Sequence, residues 1–135
     1  MSLTADPPAA VTLDDVRAAA RNLEGVAVRT PLVEVAELTE RAGVPVSLKC
    51  EQLQPIGAFK LRGAYHAISR AAAAGARGVV TPSSGNHGQA VAWAARAFGL
   101  RAVIVMPEST PRIKVDGVRR HGGHVVFAGA VRSLE

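Results

Sequence analysis

Aromatic side chains are scarce, at 4% of the 135 residues, so Ala, Val and Leu are expected to fill whatever core this chain builds. A single cysteine, Cys50, excludes an internal disulfide and fits a reducing compartment, the cytoplasm. Cys50 has no Cys or His companion at metal-ligand spacing. His121 and His124 flank Gly122-Gly123 with no carboxylate or Cys at ligand spacing, so no metal site is expected. No apolar run reaches membrane-spanning length, and the N-terminus lacks the basic, apolar, small-residue series of a secretory signal. No Gly-x-Gly-x-x-Gly fingerprint marks a dinucleotide site. The net charge is +5, but no dense basic run and no aromatic stacking set accompany it, so nucleic acid is not an expected partner.

Hydrophobic residues make up 48% of the chain, enough for one modest domain with a packed core. Residues 1–11, with Pro7-Pro8, read as a loose arm. Thr12 with Asp15 forms a capping-box-like helix start, Asp standing in for the usual Glu or Gln. The helix that follows places Val16, Ala19, Ala20 and Leu23 on one side and ends at Gly25. Thr30-Pro31-Leu32 is extended, and a short helix from Val35 to Ala42 stops at Gly43. Val44–Glu51 alternates as a strand, with Val46, Leu48 and a buried Cys50 on one face. A helix over Phe59–Ala74 follows a loop punctuated by Pro55 and Gly57.

From Gly78 the pattern is a regular βαβαβ. Its strands are Gly78–Thr81, Ala102–Met106 and His124–Phe127, with helices over Asn86–Phe98 and Arg112–His121. That alternation predicts an α/β fold: a three-layer parallel sheet unit preceded by N-terminal helices and a strand.

Two stretches carry the chemistry. In Thr81–Gln89 a strand feeds a polar, Gly-containing turn that opens a helix, so backbone N–H groups and the helix dipole favour an anion there. Ser83, Ser84, Asn86, His87 and Gln89 add side-chain donors. An ordinary βα loop with a Ser or Asn cap fits the same spacing. Upstream, Gly57-Ala58-Phe59-Lys60-Leu61-Arg62-Gly63 sets a lysine among small residues at a helix start. Desolvated against a planar ligand, that lysine would be available as the free amine that Schiff-base chemistry requires.

Together, Glu51–Ala64 and Ser83–Ala90 resemble the threonine dehydratase and serine racemase group of fold-type II enzymes, which use pyridoxal 5′-phosphate (PLP). Thr30-Pro31-Leu32 and Val105-Met106-Pro107 are similar to flanking features of that group, and the likeness runs from about Val16 to Ala128. It implies a partial tryptophan-synthase-β-like fold, with residues 1–77 opening the large PLP domain and 78–135 forming an incomplete small α/β domain.

The resemblance also implies roles. Lys60 would bind the cofactor covalently and later shuttle the α-proton, Phe59 would pack near the pyridine ring, and Asn86 would bond the ring's 3′-oxygen. Ser83, Ser84, Gly85, Asn86, His87 and Gln89 would hold the substrate carboxylate, with Ser84 a second acid/base on the opposite face. The implied activity is a threonine or serine ammonia-lyase making a 2-keto acid and ammonia. A racemase of the same fold and a non-catalytic α/β module that binds a small carboxylate are the alternatives.

The family's glycine-rich phosphate loop and the residue facing the pyridine nitrogen have no candidate here. The chain is therefore expected to be the N-terminal part of a longer enzyme, inactive and binding PLP weakly by itself, and homo-oligomeric at full length.

Overall fold

The computed structural model describes residues 10–129; most of the N-terminal arm lies outside them. Helix α1 spans Leu13–Asn22, followed by β1 (Leu32–Glu34), α2 (Ala36–Ala42), β2 (Ser47–Lys49) and a 3-10 turn (Glu51–Leu53). Then come α3 (Lys60–Ala73), β3 (Gly78–Pro82), α4 (Asn86–Ala97), β4 (Arg101–Pro107), α5 (Arg112–Arg120) and β5 (His124–Ala128). The expected βαβαβ unit is present: β3, β4 and β5 form a parallel sheet in that order, Gly78 opposite Arg101 and Val103 opposite His124.

Alternation decides how the sheet is covered. Along β4, Ala102, Ile104 and Met106 are buried and the residues between them are not. Their inward face receives α4, which also packs against α3 and α5. Helix α4 can sit so centrally because Ala90, Ala92, Ala94 and Ala95 bring no bulk; each is essentially inaccessible. Leu61 and Ile68 of α3 and Val118 of α5 close the core from either side. Leucine contributes less than expected, since Leu61 is the one leucine among these core residues, and Ile104 and Met106 are the large side chains at the centre. Tyr65 of α3 meets Trp93 and Phe98 at centroid distances of 6.0 and 5.0 Å, so the few aromatics bind α3 to α4.

The N-terminal elements differ more from the sequence reading. The capping box at Thr12 forms, its hydroxyl accepting from the Asp15 N–H at 3.2 Å. The helix stops at Asn22, and Gly25 (φ +72°) lies in the turn beyond it. No residue of α1 is buried. Its link to α3 is polar: the Asn22 amide donates to Ser69 Oγ at 2.6 Å and meets His66 Nδ1 at 3.1 Å.

The strand expected over Val44–Glu51 is cut to Ser47–Lys49, pairing antiparallel with β1 in a two-stranded ribbon. Cys50 is half-buried, contrary to expectation. The chain turns into the 3-10 segment directly after it, and among the described residues no second layer covers the ribbon, so Leu48 is exposed.

Candidate active site

The site is built where α3 and α4 begin. Gly57, at φ +70°, turns the chain after the 3-10 segment in a conformation that L side chains rarely adopt. Helix α3 then starts with no side-chain cap on Phe59 and no acidic residue in its first turn. Leu61 and Ala64 face the core, which leaves Phe59 and Lys60 on the outer side. Lys60 Nζ lies 5.3 Å from the centroid of the Phe59 ring. The desolvation expected for this lysine is absent among the described residues: Lys60 is exposed, and so is Phe59, at 58%.

The start of α4 is shaped by Ser83. Its N–H donates to the Val105 carbonyl at 2.9 Å, which docks the turn on β4. Its Oγ accepts from the N–H groups of Gly85 (3.2 Å) and Gly88 (3.0 Å). Ser83 thus caps the turn from three residues before the first residue of the helix. The first-turn amides of Asn86 and His87 have no acceptor among the described residues. Gly88 is buried against β4, where an added Cβ would stand 2.9 Å from Ile104 Cγ2 and 3.2 Å from the Ser83 carbonyl oxygen.

The two stretches meet. Phe59, Lys60, Arg62 and Gly63 of the first and His87 of the second line one cavity of about 370 Å³, with Val91 on its wall. The other candidates disperse. Ser84 is exposed beside Gly85 on the turn. Asn86 Oδ1 accepts from Lys114 Nζ at 3.4 Å, which draws that amide towards α5. Gln89 lies against Gly117 of α5, its Oε1 2.6 Å from where a Cβ would be, and is not on the cavity wall.

A polar cluster that no sequence motif marks surrounds Arg62 and Glu51. The Arg62 guanidinium donates to both Glu51 oxygens, at 2.9 and 2.7 Å, and to the Val28 carbonyl at 3.1 Å. Thr30 Oγ1 donates to Glu51 Oε1 at 2.7 Å. The Gln54 amide donates to the Val28 carbonyl (2.9 Å) and to Glu51 Oε2 (3.3 Å), while its own oxygen accepts from the Val28 N–H. Thr30 and Gln54 are the two polar residues buried in the described chain. The Arg62 hydrogen bonds, against the opposing effect of burial and with help from Thr30, hold the Glu51 carboxyl down to about 2. The signal in sequence was thin: a threonine before a proline and a glutamine in a short loop.

Residues 23–133 match the family described as pyridoxal-phosphate dependent enzyme. L-threonine dehydratase biosynthetic IlvA of Pasteurella multocida is 53% identical over 106 residues, which are 78% of this chain and 21% of that protein. L-threonine ammonia-lyase of Thermotoga maritima is 43% identical over 122 residues, 90% of this chain and 30% of the other. Maize serine racemase superposes with a TM-score of 0.80 at 37% identity, over 92% of this chain and 38% of that structure. The chain therefore spans less than a third of the length of either curated relative.

Proposed function

This chain belongs to the pyridoxal-phosphate dependent enzyme family, and on that premise we propose that it supplies the reactive lysine and the carboxylate-binding turn of an ammonia-lyase acting on threonine or serine. The observation that carries the proposal is the single cavity lined by Lys60 and His87, which joins a primary amine to a helix start rich in donors. The residues fit the cofactor. The Lys60 amine is reachable, the Phe59 ring stands beside it, and at Gly63 an added Cβ would meet nothing within 4 Å, so a planar ring can approach.

In this reading Lys60 would bind the cofactor, Phe59 would lie beside its ring, and Asn86 would take the ring hydroxyl. The bound cofactor supplies an electron sink for negative charge at the substrate's α-carbon. Ser84 Oγ, the Gly85 turn and the free amides of Asn86 and His87 take the substrate carboxylate, with the helix dipole behind them. Ser83, whose oxygen already serves two amides, acts chiefly by keeping that turn in shape. Gln89 supports the same turn from the α5 side. With the carboxylate fixed, the α-hydrogen would be held towards Lys60 Nζ, which would take it once free as the amine. The β-hydroxyl would leave as water with a proton returned by Lys60, and one water would then hydrolyse the product to a 2-keto acid and ammonia.

A racemase is the second reading, favoured by the exposed Ser84 hydroxyl at the turn: from the opposite side Ser84 Oγ would return the proton. We also assign residues 1–77 to the large domain of the fold and 78–135 to the small one. Exposed Leu32 and Leu48 on the ribbon are consistent with a homo-oligomer at full length, and the half-buried lone Cys50 with a cytoplasmic setting.

The test is a graft. This chain replaces the matching segment of the Pasteurella dehydratase, and keto acid and D-enantiomer are assayed on L-threonine and L-serine. The lyase reading expects keto acid from the graft and none from its Lys60→Ala form. Enantiomer without keto acid would establish the racemase instead. Equal keto-acid formation by the Lys60→Ala graft would refute both.

A further inference from the structure

Helix α3 begins in a way that local sequence does not stabilise. Phe59 offers no side-chain cap, the first turn has no acidic residue, and two cations, Lys60 and Arg62, stand at the positive end of the dipole. The carboxylate that offsets them comes from the 3-10 segment: Glu51, bonded to Arg62 through both oxygens. Glu51 is itself held by Thr30 and Gln54, both buried, and Arg62 and Gln54 share the Val28 carbonyl. One carboxylate thus ties two segments, residues 28–30 and 51–54, to the turn that carries Lys60.

We propose that Glu51, acting through Arg62, is a positioning residue that fixes the first turn of α3 and so aims Lys60 into the cavity it shares with His87. The inference rests on the reading of Lys60 as the cofactor-bearing lysine, and it adds to that reading what holds the lysine in place. Arg62 suits the task because its side chain borders two cavities: the one containing Lys60, and a larger one of about 690 Å³ under the apolar side of α1. Held by Glu51, the guanidinium is a fixed wall between them. The same pairing keeps Glu51 ionised through the neutral range, its carboxyl held down first of all by the Arg62 hydrogen bonds. The other cation nearby, Lys49, is engaged elsewhere, on the Thr30 carbonyl at 2.6 Å.

The experiment compares the 135-residue chain with its Glu51→Gln and Thr30→Val forms by two measurements. Peptide-resolved amide exchange needs no cofactor and reports the first turn of α3 directly. PLP labelling trapped with borohydride then reports how label divides among the three lysines, Lys49, Lys60 and Lys114. Glu51→Gln is expected to speed exchange over residues 60–63 about tenfold, as loss of a charge-assisted bond to a locally opening turn requires, with α4 and the sheet unchanged. Lys60's share of label is expected to fall about threefold on the same loosening. Thr30→Val removes one bond to Glu51 and is expected to act in the same direction by about twofold. It decides the matter should Glu51→Gln fail to fold.

Unchanged exchange over 60–63, or an unchanged Lys60 share despite faster exchange, overturns the proposal. So does exchange that rises equally across α3, α4 and the sheet, which would make the pair a general support of the fold. Should the unsubstituted chain show no preference for Lys60, the cofactor reading fails, while the exchange data still decide whether Glu51 holds the turn.

Discussion

Gly88 is the residue on which the Ser83–His87 turn depends most closely. Its missing side chain lets Ser83 fold back onto β4, and a Cβ there would press on a buried isoleucine and a backbone carbonyl. Gly88→Ala is expected to cost about 2 kcal/mol and to loosen the Ser83 bonds, read as a lower denaturant midpoint at unchanged slope. A shift within experimental error would mean that the turn has room to spare.

Glu51 governs the acid limb of stability. Its folded pKa of about 2 lies below the ordinary 4.5, so its contribution is complete above about pH 4.5 and is lost as pH falls towards 2. At neutral pH, Glu51→Gln should cost about 2 kcal/mol, and the gap from the unsubstituted chain should close between those two values. A gap that persists unchanged at the lower limit would show that the carboxylate's charge is not what matters. What each residue is held by is not local in sequence. Gly88 reads as one more small residue in a polar loop, and its partner Ile104 comes from a different strand. The pull on Glu51 arises from Thr30 and Gln54, which only tertiary folding brings to it.

Among the elements, those with strong local signals were legible and those defined by partners were not. Thr12 with Asp15 marked the start of α1, Gly43 the end of α2, and the switches between apolar runs and Gly-bounded helices drew β3 to β5 nearly to the residue. The ribbon of β1 and β2 was half seen. Alternation from Val44 to Glu51 promised a long strand, yet only Ser47–Lys49 pair in register with the three residues of β1, with single backbone bonds at Val46 and Cys50 on either side. The cavity between α3 and α4 was expected only through the family resemblance, which put Lys60 and the Ser83–Gln89 turn at one site; no local signal shows it, since it needs Lys60 and His87 on facing helices. That packing has its own test at Gly123, where a Cβ would lie 2.6 Å from Val118 Cγ1 and 2.8 Å from Ala92 Cβ. Gly123→Ala should separate α4 from the end of α5 and cost about 2 kcal/mol in denaturant unfolding. Full stability in that variant would mean the two helices are less closely fitted than these distances imply.

For the whole molecule, the described residues hold one well-packed region, around α4, and a thinly covered one. No residue of α1 is buried, the ribbon exposes Leu32 and Leu48, and Lys60 stands open to solvent. A lysine serving a cofactor is ordinarily desolvated, and the described residues leave Lys60 uncovered. Weak cofactor binding by the chain alone follows, and covalent trapping is the way to detect it. PLP is added to the 135-residue chain, borohydride fixes whatever has formed, and peptide mapping assigns the label. The account predicts that Lys60 carries the bulk of it, and that Lys60→Ala lowers the total label without raising the amount on Lys49 or Lys114. Label spread evenly over the three lysines, or concentrated on Lys114, would contradict it.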